Sequence, residues 1–393
     1  MCTIGGCDGV RHPLLRQMPS GVSAPPQPSS ATEGLAPARR SGNINATCMK
    51  DGRGMICTRR DFTIGTGASL AAAALAPPAL AAGSSRMLSN AAASPRARGL
   101  YAYLWSIYGQ HVLTGQQESN FTPAGAFREI DYLEKLSGKL PAVVGYDYIE
   151  PRDQQGVNDR AASWYLEKNG IPTICWHWGA PDIGTGYENS KRDFDLPAAL
   201  RKGTPQSAAM WRDMERIADL LDDMQSRDVP VLWRPLHEFS GTWFWWGKHG
   251  PDRFKALWSA MYDYFTRDRK LNNLIWVLGY AGQNITAEYY PGRSSVDIAG
   301  ADIYVDDYGG LAPMFAQVKA IVGDTVPITL HENGPIPDPD LIRPDARWLY
   351  QTTWHTRWIM DEKANAPAQI RKAFTSQLYL SKDELPMLRQ LRA

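Results

Sequence analysis

Two dipeptides, His237-Glu238 and His331-Glu332, each close a short apolar run. Val231-Leu-Trp233 leads through Arg234-Pro-Leu into the first, and Val326-Pro-Ile-Thr-Leu330 leads into the second before Asn333-Gly334-Pro335 breaks the pattern. Short apolar runs bounded in this way read as buried strands of a parallel sheet. Both carboxylates then stand at strand carboxyl ends, where they are equipped for proton transfer or nucleophilic attack. Behind Glu238 come Trp243, Phe244, Trp245 and Trp246. Aromatic faces stack on the C–H faces of sugar rings, so tryptophan beside a carboxylate fits a carbohydrate site. The alternative, tryptophans as core and Glu238 as a paired structural carboxylate, would crowd many polar groups into a short loop, which is poor core material.

The His-Glu pairs and His177 also admit a metal reading. Zinc peptidases carry His-Glu-x-x-His on a helix so that both histidines share a face, whereas here each pair ends a strand, where neighbours point oppositely unless a bulge intervenes. No metal and no cofactor is therefore expected.

The stretch Trp233 to Gly247 resembles the signature Trp-Arg-Pro-x-His-Glu-x-x-Gly-x-Trp-Phe-Trp-Trp-Gly of glycoside hydrolase family 26, the family of retaining endo-β-1,4-mannanases. The resemblance covers about residues 100 to 375, densely at the fourth, sixth and seventh strands. It implies an α/β fold, a (β/α)8 TIM barrel with a single catalytic domain, in which Glu238 ends strand 4 as acid/base and Glu332 ends strand 7 as nucleophile. It further implies that His177 lines the subsite at the scissile bond, that His237 reads the sugar 2-hydroxyl, and that Tyr304 holds one oxygen of the nucleophile. Asp302, sharing a strand face with Tyr304 by the period of two, would support that network from a less exposed position. Trp354, or alternatively Trp358, would floor the site, and Trp243 and Trp246 would contribute aromatic surface. A core tyrosine at 304 stays open. The implied activity is hydrolysis of β-1,4-mannosidic bonds in mannan, glucomannan or galactomannan by double displacement. A β-1,3-xylanase or mixed-linkage β-glucanase of the same family, and an inactive glycan-binding barrel, are the alternatives.

Eight strands must position these groups, and the chain offers eight candidates: 111–115, 142–148, 173–178, 229–237, 274–279, 298–304, 327–332 and 352–355. Stretches of helical spacing such as Ser207–Ser226 and Pro251–Arg269 separate them. Such alternation is the pattern of a parallel α/β architecture, and functional residues in a barrel gather at strand carboxyl ends. A doubly wound open sheet is the structural alternative, but no Gly-rich phosphate turn follows any strand. The other strand ends, Thr114-Gly-Gln-Gln117, Gly145-Tyr-Asp-Tyr148 and Trp176-His-Trp-Gly179, are likewise polar and aromatic.

With 44% hydrophobic residues and a net charge of +1 over 393 residues, the chain is neither a disordered acidic or basic polymer nor a nucleic-acid binder by charge. The first 57 residues, rich in Pro, Ser, Gly and Arg, depart from globular composition and read as a disordered or mis-annotated extension, with the translation start at Met49 or Met55. Thr58-Arg-Arg-Asp-Phe-Thr-Ile64 resembles a twin-arginine export motif, and the Ala/Leu/Gly segment to Ala79-Leu-Ala-Ala82 completes a signal peptide over 58–82. A linker over 83–99 and the catalytic domain over 100–393 follow. Cys2, Cys7, Cys48 and Cys57 precede that cut, leaving Cys175 alone, so no internal disulfide is needed in a protein exported already folded. The expectation is a secreted or periplasmic monomer with a β-mannan substrate, without membrane anchor or nucleic-acid partner.

Overall fold

The computed structural model describes residues 86–119 and 127–393. The proposed extension and signal peptide lie outside them. Among the described residues ten strands form: β1 (Val112–Leu113), β2 (Gly115–Gln117), β3 (Val143–Asp147), β4 (Ile171–Cys175), β5 (Val231–Arg234), β6 (Leu274–Ala281), β7 (Ile298–Ile303), β8 (Ile328–Asn333), β9 (Gln351–Thr353) and β10 (Tyr379–Leu380). β2 to β9 close into an eight-membered barrel in sequence order. Every pairing is parallel, down to the closing contact of Gln116 with Thr353. Strands of this kind are covered on both faces, which is why β3, β4, β5 and β6 are buried throughout.

The alternation of strand and helix is incomplete. Helices Arg128–Ser137, Gln154–Leu166, Pro205–Ser226, Gly250–Asp263, Ala312–Val322 and Pro367–Thr375 follow β2, β3, β4, β5, β7 and β9. The connections from β6 to β7 and from β8 to β9 contain only short 3-10 turns. Thr204 caps the longest helix by accepting the Ser207 N–H at 3.0 Å, with Pro205 in the first turn, where its missing N–H costs nothing. The helix expected over Pro251–Arg269 stops being α-helical at Asp263 and ends in a π-helical turn, Tyr264–Asp268.

Several strand boundaries differ from expectation. The run 111–115 divides: Val112–Leu113 pairs with β10 outside the barrel, and the first barrel strand is Gly115–Gln117. The fourth barrel strand ends at Arg234 because Pro235 has no N–H for the ladder. The linker expected over 83–99 is folded for much of its length. Leu88 and Ala93 are buried, the Ser89 N–H donates to Asp297 at 2.6 Å, and helix Pro95–Ile107 starts inside that range under a Ser94 cap.

Parity sorts the residues of β5. Trp233 pairs in register with Trp276 of β6, and both rings meet Phe265, while Trp258 and Tyr262 also meet Trp276. Those partners belong to the helix outside, so Arg234, next in the strand, turns the other way, into the lumen. β7 and β8 approach each other closely at Gly300, where an added Cβ would sit 2.1 Å from the Thr329 carbonyl oxygen. Gly300→Ala should therefore lower stability by about 1–3 kcal/mol through overpacking against backbone. A urea unfolding curve with its midpoint unmoved would refute that reading.

Candidate active site

β5 delivers Glu238 through a strained turn. Leu236 and Glu238 adopt left-handed φ of 50° and 53°, a conformation that costs a non-glycine residue roughly 1 kcal/mol or more. Hydrogen bonds hold it in place: Glu238 N–H donates to the Gly279 carbonyl at 2.8 Å, and Trp246 Nε1–H donates to the His237 carbonyl at 2.9 Å. β8 delivers Glu332 through a different device. Ala301 pairs with Leu330 and Asp302 pairs with Glu332, so His331 is an extra residue in the ladder. This bulge re-aims the strand end, as bulges beside sites do.

The two glutamates meet. One oxygen each of Glu238, Asp302 and Glu332 lie within 4.8 Å of one another. Glu332 is buried, receives the Tyr304 hydroxyl proton donor on Oε1, and has Arg234 at 3.0 Å from Oε2. Burial raises its pKa, Arg234 opposes the rise, the charge of Glu238 adds to it, and Tyr304 and His177 pull back toward the ionised form. Asp302 is pushed well above the usual carboxylate range, by burial first and then by Glu238 beside it, which favours its protonated form. The Tyr304 phenol is likewise pushed up by burial and by Glu332, and it remains a hydrogen-bond donor. Trp243 Nε1–H donates to Glu238 Oε2 at 2.7 Å.

A cavity of about 580 Å³ opens over these groups, walled by His177, Glu238, Tyr304, Glu332 and Trp354 from the expected set. Asp147, Tyr187, His355, Arg357 and Trp358 join the wall. The alternatives Trp354 and Trp358 are thus both present, with Trp358 against Tyr304 at a centroid distance of 4.8 Å. Other expected contacts need correction. Trp246 is fully buried, stacked on Phe244 at 4.4 Å, and holds the strained turn. His237 is also fully buried, its Nε2 turned to His177 Nε2 at 3.1 Å, and does not reach the cavity wall. Trp243 is half-buried, and its indole N–H serves Glu238 at the cavity edge. Asp302 sits behind the glutamates.

Of the residues sequence reasoning passed over, Arg234 and Asp147 stood in quoted strand ends but received no role. A charged side chain at a lumen parity position was the signal available for Arg234. Tyr187, Arg357 and the wall face of His355 carry no local signal, since loops bring them in. Two groups among the described residues have metal-like ligand spacing, Asp147/Cys175/His177 and Glu238/Asp302/Glu332. In the first, Asp147 is committed to His177 through both oxygens. In the second, Arg234 already supplies a cation at 3.0 Å from Glu332.

Two carboxylates facing one another across an open, aromatic-walled cavity at a barrel's carboxyl end define a glycosidase-type site. The chain belongs to Glycosyl hydrolase family 26, whose profile matches residues 89–384. It is 34% identical to a mannan endo-1,4-beta-mannosidase of Thermothelomyces thermophilus, over 76% of this chain and 63% of that protein. It is 32% identical to mannan endo-1,4-beta-mannosidase B of a Piromyces species, over 76% of this chain and 53% of that one. The chain thus spans between half and two thirds of these relatives' lengths. Among solved structures, the β-mannanase from a symbiotic protist of the termite Reticulitermes speratus, complexed with gluco-manno-oligosaccharide, superposes with a TM-score of 0.71 at 32% identity, covering 77% of this chain and 98% of that one. A Podospora anserina β-(1,4)-mannanase gives 0.70 at 32% identity, over 78% and 70% of the two chains.

Arg234 balances Glu332 in the lumen, so Arg234→Met should strand a buried carboxylate and destabilise the fold by about 3–5 kcal/mol at neutral pH. Without its cation, Glu332 would have a folded-state pKa further above the unfolded value. The lost stability is then greatest at pH values above that raised pKa and shrinks as acid protonates Glu332. Urea unfolding of both proteins across pH 4.5 to 7.5 checks this, and a gap that widens in acid would contradict it.

Proposed function

We propose that this protein is a retaining endo-β-1,4-mannanase acting on mannan, glucomannan or galactomannan. The observation that carries the reading is the approach of Glu238 and Glu332 to within 4.8 Å in one open cavity of a family 26 barrel. Carboxyl groups about 5–5.5 Å apart suit double displacement, whereas inversion needs about 6.5–9.5 Å to admit a water. Glu332, fixed by Arg234 and Tyr304, attacks the anomeric carbon. Glu238, at the more accessible end, protonates the departing oxygen and later deprotonates the water that releases the glycosyl-enzyme. The mannanase names of the relatives support the choice of sugar.

Cleavage within a polymer requires a cleft open on both sides. The central cavity shares Ile149 and His177 with a hollow of about 250 Å³, and shares Arg357 and Trp358 with another of about 240 Å³. A chain lying across all three has room on either side of the glutamates. Reducing-sugar release from mannan, glucomannan, β-1,3-xylan and lichenan tests the substrate class, and turnover confined to either of the last two would overturn it. For the mechanism, Glu238→Ala should keep the first step on an activated aryl β-mannobioside, accumulate the intermediate and be accelerated by azide to a β-azide product. Glu332→Ala should give the α-azide or nothing. Exchanged configurations would reverse the two roles.

Export through the twin-arginine route is part of the same reading, supported by Thr58-Arg-Arg-Asp-Phe-Thr-Ile64 and by a single, buried cysteine in the remaining chain. No helix among the described residues is long and apolar enough to cross a membrane. The enzyme would act outside the cytoplasm, as a monomer. Replacing Arg59 and Arg60 with Lys should retain the protein inside the cell, and N-terminal sequencing of the exported form should begin near Ala82. Undiminished export of the Lys variant would remove the assignment.

A further inference from the structure

Asp147 ends β3 with its carboxyl group fully buried. One oxygen accepts the His177 backbone N–H at 3.0 Å and the other faces His177 Nδ1 at 2.5 Å, so one side chain fixes both the main chain and the ring. The opposite ring nitrogen is equally constrained, because His177 Nε2 and His237 Nε2 face each other at 3.1 Å. Imidazole nitrogens at that distance share one proton, since two N–H groups or two lone pairs would repel. Two arrangements satisfy the geometry. Either His177 is neutral and accepts from His237, or His177 is doubly protonated and donates to it.

The surrounding charges choose the second. Burial works against a charged His177, but Asp147 in direct contact, with Glu332 and Glu238 farther off, outweighs it and raises the pKa. His237, behind it, is driven well below the ordinary histidine range by burial, by His177 and by Arg234. The other groups nearby leave this balance intact. Cys175 of β4 is a buried thiol pushed up by burial and by Asp147, and it stays neutral. His355, beyond β9, is lowered to about 4 by burial and is neutral. Tyr187 meets the His177 ring edge-on at 5.6 Å as a phenol whose pKa burial raises.

We propose that Asp147 is a positioning residue that, through His177, presents a fixed imidazolium to the carboxylate pair and sets the proton orientation of His237. Nothing in the local motif reveals this, because Asp147 and His177 come from adjacent strands and His237 from the next. The charge of His177 favours the ionised form of Glu332 without touching it, acting from within the cavity wall. The kinetic arm of the test rests on the glycosidase reading. The spectroscopic arm does not.

Asp147→Asn offers one acceptor and a donating amide, which leaves His177 neutral. Removing a positive charge from beside Glu332 raises that carboxyl's pKa, so the acidic limb of the kcat/KM profile should move up by about 1 unit, with at least a tenfold lower plateau. Reduced stability with an unmoved limb would assign Asp147 a merely structural part and overturn the proposal. Nitrogen-15 NMR of the unsubstituted enzyme, with His177 assigned by its loss in His177→Gln, should show both ring nitrogens protonated at pH 7 and a strongly deshielded Nδ1 proton. An unprotonated His177 nitrogen at that pH overturns the proposal whether or not the Asn variant folds. If the enzyme hydrolyses no β-glycan, the proposed function falls, and the spectrum still decides the protonation of His177.

Discussion

Three carboxyl groups within 4.8 Å of one another cannot all carry charge inside a barrel. At that separation each like-charged pair costs roughly 3 kcal/mol at an effective dielectric of about 20. The structure resolves the conflict by giving each group a different partner. Arg234 counters Glu332 from the lumen, burial and the neighbouring Glu238 push Asp302 toward its protonated form, and Trp243 hydrogen-bonds Glu238. Arg234 itself is tolerable there only because the carboxylate repays its desolvation, which ties the interior of the barrel to the chemistry at its rim.

Much of what reads as sugar-binding surface is scaffold. Trp246 and Phe244 stack behind the site, Trp245 Nε1–H donates to the Trp178 carbonyl at 2.8 Å, and Trp246 Nε1–H donates to the His237 carbonyl between the left-handed residues Leu236 and Glu238. A strained turn persists only when its surroundings over-determine it. Aromatic rings serve that purpose well, with large area, few torsions and one polar edge each. The strain aims Glu238 back over the barrel toward Glu332, a direction that a regular continuation of β5 would not provide.

The two carboxylate-bearing strands solve one problem by separate means. β5 ends at a proline and bends through positive φ, whereas β8 inserts His331 as a bulge. His331 is fully buried, with its ring 3.9 Å from Asp302, and burial and Arg234 hold its pKa far down. A neutral imidazole there adds no further charge to an already crowded lumen.

Local sequence marked an alternating parallel α/β pattern and its two strand-end glutamates, and the family resemblance turned that pattern into a barrel. Continuous apolar runs ending in His-Glu carry a period and a breaker that survive without tertiary contacts, and strand alternation puts Asp302 and Tyr304 on one face, whereas the place of Tyr304 beside Glu332 came from the family resemblance. Trp246 and His237 show the limit of that reasoning. Their proximity to Glu238 in sequence marks them as important, yet whether a ring faces a cavity or the core depends on the backbone path after Pro235, which hydrogen bonds to β6 determine. Asp147, Tyr187 and Arg357 were beyond local reading for the complementary reason. Their place in the site comes from strand neighbours and loops far apart in the chain, and only closure of the barrel brings them within reach of the glutamates.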